Sequence, residues 1–120
     1  SRHMRRAGLD YWEHLDWEVV DDWRQLRDRL SSRSFWYFSK RAGRLYTEPR
    51  YAPGDALVFG GESAGLPASL LKNNREHCLR IPIRTPPQSL NLSVSAAVVA
   101  FEARRQFVAA GLLAAEPCGP

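Results

Sequence analysis

An α/β domain with a mostly parallel sheet is the fold class predicted by this 120-residue sequence. Three observations predict it. Short apolar runs alternate with helix-like segments, as in chains that cross back over a parallel sheet. Two of those runs end in a glycine- or proline-rich loop that leads straight into a helix pattern. The last helix is apolar nearly all round over its first three turns, so it must bury two faces.

The elements follow in order. Residues 2–9 read as a short basic helix stopped at Gly8. Residues 16–20 read as a strand, with Trp17 and Val19 alternating. Asp21 and Asp22 offer N-caps for a helix reaching Leu30, with Trp23, Leu26 and Leu30 on one face. The aromatic run Phe35-Trp36-Tyr37-Phe38 reads as a buried strand, with only Phe38 placed to line a pocket. Residues 42–54, with Gly43, Pro49, Pro53 and Gly54, read as loop. Ala56-Leu57-Val58-Phe59 is a short apolar strand suited to a sheet covered on both faces. Residues 67–72 predict a short helix with proline at its first position. Residues 78–83 predict a fourth strand, and residues 89 to about 110 the longest helix. In that helix Leu92, Ala96, Val99 and Ala103 share one face, and Val94, Ala97, Val98 and Phe101 another. The boundaries predicted are one domain over residues 1–111 and a tail over residues 112–120.

Composition narrows the function classes. No apolar run approaches the roughly 20 residues of a membrane span, and no signal-peptide pattern opens the chain. The reading is cytoplasmic, with no membrane partner. Cys78 and Cys118 lack metal-site spacing, as do His3, His14 and His77, so no metal is predicted. The net charge of +4 favours nucleic acid only weakly, but 15 arginines stand against 2 lysines. Arginine suits bidentate phosphate contacts and stacking on bases.

Two segments carry the chemistry. The first is Phe59-Gly60-Gly61-Glu62-Ser63-Ala64-Gly65-Leu66-Pro67: a strand end, a glycine turn with one carboxylate, and a helix start. The second is Ile81-Pro82, a short loop, then Ser89-Leu90-Asn91-Leu92-Ser93 and the apolar helix. Ligands of parallel sheets bind beyond the carboxyl ends of the strands, where both loops belong. Two such loops side by side make a small-molecule cleft built largely of backbone amides and carbonyls. Glu62 could equally cap the following helix, and Asn91 and Ser93 could be ordinary N-caps.

These segments closely resemble the SpoU branch of the SPOUT methyltransferases. Phe59 to Pro67 matches that family's second motif, and Ile81-Pro82 with Ser89 to Ser93 matches its third. The start, Arg5-Arg6-Ala7-Gly8-Leu9-Asp10-Tyr11-Trp12, is similar to the subgroup that methylates the ribose at the tRNA wobble position. The resemblance implies a C-terminal trefoil knot, a homodimer, S-adenosyl-L-methionine as methyl donor and tRNA as substrate. The implied reaction is methyl transfer to a ribose 2′-hydroxyl, most simply that of a wobble pyrimidine.

The same resemblance assigns residues. Phe38, Gly60, Gly65, Ile81 and Ser89 would bind the cofactor. Glu62 and Asn91 would stand at the reacting centre, and Arg2, Arg5, Arg6 and Arg41 would contact RNA. The family's first motif, with the arginine usually credited with activating the hydroxyl, belongs to a strand and helix upstream of this segment. The chain therefore reads as lacking that N-terminal strand and helix, and no catalytic base is carried over. Ala64 replaces a residue that is often polar or basic in relatives. The competing reading is a non-catalytic RNA-binding module that kept the fold. A nucleotide-binding protein of another kind would need a G-x-G-x-x-G or P-loop signature, and neither occurs.

Overall fold

The computed structural model describes residues 23–30, 33–60, 65–82 and 92–114. The chain divides into two compact units, Ser1–Arg33 and Ser34–Pro120. In the first unit, helix α1 spans Trp23–Arg29 and gives way to a turn at Leu30, one residue short of the predicted end. The predicted helix at 2–9, the strand at 16–20 and the caps Asp21 and Asp22 lie outside the described residues.

The second unit holds a four-stranded sheet. Strand β1 is Phe35–Phe38, β2 is Arg44–Leu45, β3 is Ala56–Phe59 and β4 is Cys78–Arg80. Helix α2 covers Ala68–Asn73, a 3-10 turn follows at Arg75–His77, and helix α3 covers Leu92–Ala109. The strand order is β2-β4-β1-β3 and every pairing is parallel. Phe35 pairs with Ala56 and Phe38 with Phe59; Phe38 also pairs with Leu79, and Leu45 with Arg80. The α/β reading with a parallel sheet therefore holds.

Three further boundaries depart from the sequence reading. β4 stops at Arg80 and does not continue to Ile83, because Pro82 has no N–H to donate to a ladder. α2 begins at Ala68, with Pro67 in the half-in capping position at φ −58° and ψ 139°. The predicted loop at 42–54 contains β2, whose two residues are too few to show a period.

The core lies between the sheet and α3. Trp36, Phe38, Tyr51, Leu79, Val99 and Ala103 form one buried cluster, with Tyr46, Leu57, Phe59, Ile81 and Phe107 packed against it. Trp36 and Phe38 are two apart on a strand and so share a face, while Tyr37 is buried on the other. That is why the aromatic run shows no polar alternation. On α3 the buried residues are Ala96, Val99 and Ala103, three of the four on the predicted face. Val94 and Phe101, on the second face, are 47% and 49% exposed.

Local chemistry closes α2 and α3. Gly111 sits at φ +78°, its N–H donates to the Val108 carbonyl, and Leu112 N–H donates to Phe107. This is the paired 6→1 and 5→2 bonding of a Schellman stop. At the end of α2, Asn74 Nδ2 donates to the Leu70 carbonyl at 2.7 Å, and the Cys78 thiol reaches the Asn74 carbonyl at 3.1 Å. Burial pushes the Cys78 thiol pKa up, so it stays protonated and structural.

Candidate functional site

Because all four strands run parallel, their carboxyl ends open on one edge. Ser39 follows β1, Tyr46 follows β2, Gly60 follows β3 and Ile81 follows β4. The ladder extends just past the strands: Ser39 N–H donates to the Leu79 carbonyl and Tyr46 N–H to the Arg80 carbonyl, both at 2.9 Å. The edge is thus fixed by main-chain bonds on either side of β4.

Four of the predicted cofactor residues lie among those described, and they gather on this edge. Phe38, Gly60 and Ile81 stand at the ends of the three adjacent strands β1, β3 and β4. Phe38 is 8% exposed and its ring stacks on Phe59 with centroids 4.7 Å apart. It is as much a core residue as a wall. Ile81 is half-buried against the same core. Gly65 is folded back onto Gly60: a Cβ built on Gly60 would lie 2.2 Å from Gly65 C and 2.5 Å from Leu66 N. Gly65 has φ +68°, the left-handed region that glycine enters without steric cost. Gly60 and Gly65 therefore meet backbone to backbone.

Arg41, the one RNA-contact candidate among the described residues, is exposed on the turn leaving β1. Its N–H donates to Ser39 Oγ at 3.2 Å. Glu62, Ser89, Asn91, Arg2, Arg5 and Arg6 lie outside the described residues. Among those described, no cluster of His, Cys, Asp or Glu could hold a metal ion, and no helix is long and apolar enough to cross a membrane.

Sequence reading missed a polar clamp behind the edge. Gln106 on α3 accepts from Tyr51 N–H at 2.9 Å through Oε1, and donates through Nε2 to the Pro49 carbonyl at 3.0 Å and to Glu102 at 2.9 Å. Only one orientation of the amide satisfies all three bonds. Glu102 also takes a two-pronged contact from Arg105, both bonds 2.9 Å. The one sequence signal was a Glu and a Gln four apart on a helix otherwise rich in apolar residues.

The Arg105 hydrogen bond, aided by the one from Gln106, holds the Glu102 carboxyl below its ordinary range, against the opposing effect of burial. A group depressed on folding contributes stability above its unfolded pKa and loses it as pH falls through its folded pKa. Glu102→Gln should therefore flatten the acid limb of stability below about pH 4.5. Thermal melts of both proteins across that limb check this; parallel curves would refute it.

Comparison with known proteins gives a consistent picture. Residues 1–101 match the SpoU rRNA Methylase family. A Burkholderia ambifaria protein named tRNA (cytidine(34)-2′-O)-methyltransferase is 42% identical over 107 residues, covering 86% of this chain and 68% of the relative. A Listeria innocua protein that carries the same name provisionally is 39% identical over 109 residues. That match covers 88% of this chain but 64% of the relative, so the chain spans just under two thirds of its length. A structure determined for insights into the 2-OH methylation of C/U34 on tRNA superposes with a TM-score of 0.72 at 40% identity, over 87% of this chain and 68% of that one. An AdoMet-bound rRNA methyltransferase from Sinorhizobium meliloti superposes with a TM-score of 0.56 at 26% identity, over 68% of this chain and 32% of that one.

Proposed function

The chain belongs to the SpoU rRNA Methylase family, and we propose that it serves the S-adenosyl-L-methionine-dependent methylation of a ribose 2′-hydroxyl in tRNA, at the wobble pyrimidine. The observation that carries this is the 42% identity to a tRNA (cytidine(34)-2′-O)-methyltransferase across most of the chain. The geometry agrees with it. At the carboxyl edge the Gly60 and Gly65 main chains lie so close that no side chain fits between them, which leaves backbone groups to meet a ligand there.

Phe38, Gly60, Gly65, Ile81 and Ser89 would hold the cofactor, which supplies a methyl group already activated on sulfonium. This chain's own task is then placement. The glycine turn brings main-chain donors and acceptors against adenine and ribose, and Asn91 orients the target hydroxyl in line. Glu62 shapes the turn at the reacting centre. Arg2, Arg5, Arg6 and Arg41 contact tRNA phosphates.

The finer proposals are these. The domain runs over residues 1–111, with 112–120 as tail, and its C-terminal segment is knotted. The enzyme is a cytoplasmic homodimer. The apolar sequence of the second face of α3, Val94, Ala97, Val98 and Phe101, supports the dimer, and Val94 on it is 47% exposed.

The test is methyl transfer by the protein as the cell makes it. Labelled S-adenosyl-L-methionine and bulk tRNA are incubated with it, and the RNA is digested to nucleosides for mass spectrometry. A 2′-O-methylated wobble pyrimidine is the expected product. Tight RNA binding with no methylated nucleoside would instead support the non-catalytic module.

A further inference from the structure

Tyr51 lies outside both family motifs, yet its main chain and side chain together link α3, β1 and the residue after β2. It is 3% exposed. Its N–H is held by Gln106 of α3, and its ring meets Trp36 of β1 edge-on at 5.7 Å. Its hydroxyl donates to the carbonyl of Tyr46, the first residue past β2. Tyr46 N–H is in turn bonded to Arg80, directly before Ile81. A continuous line of bonds therefore runs from α3 through Tyr51 to the outer corner of the carboxyl edge.

We propose that Tyr51 is a positioning residue for the cofactor site, fixing Tyr46 and through it the Arg80–Ile81 segment that walls the cleft. The inference rests on the methyltransferase reading above. β2 has only two residues, and the Tyr51 hydroxyl adds a buried side-chain anchor to the main-chain bond that Tyr46 makes with Arg80. Burial, reinforced by the nearby Glu102, keeps the phenol protonated far above its ordinary titration range. The donor is present at every working pH, so the effect is independent of pH.

The experiment compares Tyr51→Phe with Asn74→Ala in the protein as the cell makes it. Each variant deletes one side-chain hydrogen bond to a carbonyl, but Asn74 acts at the far, amino end of β4. Measured are the melting temperature, the dissociation constant for S-adenosyl-L-methionine by calorimetry, the KM for each substrate, and hydrogen exchange at the Tyr46 amide. For Tyr51→Phe the expected result is about three- to tenfold weaker cofactor binding, the scale of coupling carried by a contact that does not itself touch the ligand. The KM for tRNA should be unchanged and exchange at Tyr46 faster. Asn74→Ala should lower the melting temperature without moving cofactor affinity. If Tyr51→Phe lowers the melting temperature but leaves cofactor affinity and Tyr46 exchange as in the parent, the role is purely structural and the proposal falls. If the parent protein binds no S-adenosyl-L-methionine, the methyltransferase reading fails first and the cofactor role with it.

Discussion

Gly60→Ala should sharply weaken cofactor binding while the analogous change at Gly43 is silent. At Gly60 the added methyl would lie 2.2, 2.5 and 2.6 Å from Gly65 C, Leu66 N and Gly65 O, all main-chain atoms that cannot swing aside. Relief requires the returning arm of the turn to move by about 1 Å. Overpacking of this kind costs about 1–3 kcal/mol and sometimes more. A displacement of that size at a reacting centre costs on the order of 100-fold in rate. A Cβ on Gly43 meets nothing within 4 Å, and Gly43 has no positive φ. Gly65→Ala falls between the two: the space is open, but φ +68° costs a side chain roughly 1–2 kcal/mol. Calorimetric titration with S-adenosyl-L-methionine and a thermal melt of each variant decide the matter. Parental affinity in Gly60→Ala would show that the Gly60–Gly65 contact takes no part in cofactor binding.

Leu79→Ala should produce the largest loss of stability. Leu79 is 0% exposed at the centre of β4, paired across to Phe38 on one side and Arg44 on the other. Its side chain joins the aromatic cluster of Trp36, Phe38 and Tyr51 to Val99 of α3. Truncation removes transfer energy and leaves a cavity that a parallel sheet fixed on both sides cannot collapse around. Such changes cost about 2–5 kcal/mol, a large share of the 5–15 kcal/mol that holds a small domain folded. Urea unfolding of parent and variant measures it, and a midpoint within error of the parent would contradict the packing described.

The legible parts of the fold were those where side-chain chemistry is concentrated. Phe35–Phe38 and Ala56–Phe59 emerge at their predicted bounds because dense aromatic and β-branched runs fit few places other than a covered sheet. The buried stripe Ala96, Val99, Ala103 was readable from helical spacing. β2 was not, because Arg44–Leu45 owes its strand geometry to β4, a partner more than thirty residues away. The same holds for Tyr51, whose importance comes from Gln106 and Tyr46 and not from its neighbours in sequence. Of the candidate site, the glycines were legible from the spacing Gly60 to Gly65, since close backbone approach leaves a composition signature. The hydrogen-bonded corner behind them leaves none.

The strand order has a consequence for how the chain comes together during synthesis. β4 is the last strand made, yet it lies between β2 and β1. Among the described strands, β1 can pair only with β3 until the ribosome has passed residue 80, and β2 has no partner until then. Half of the sheet is therefore assembled by insertion of a late strand into a waiting gap. Such non-local pairing delays the payoff for closing the intervening loops and slows folding. The nascent chain meanwhile carries an aromatic β1 with one open edge, a surface that chaperones or premature association would find first.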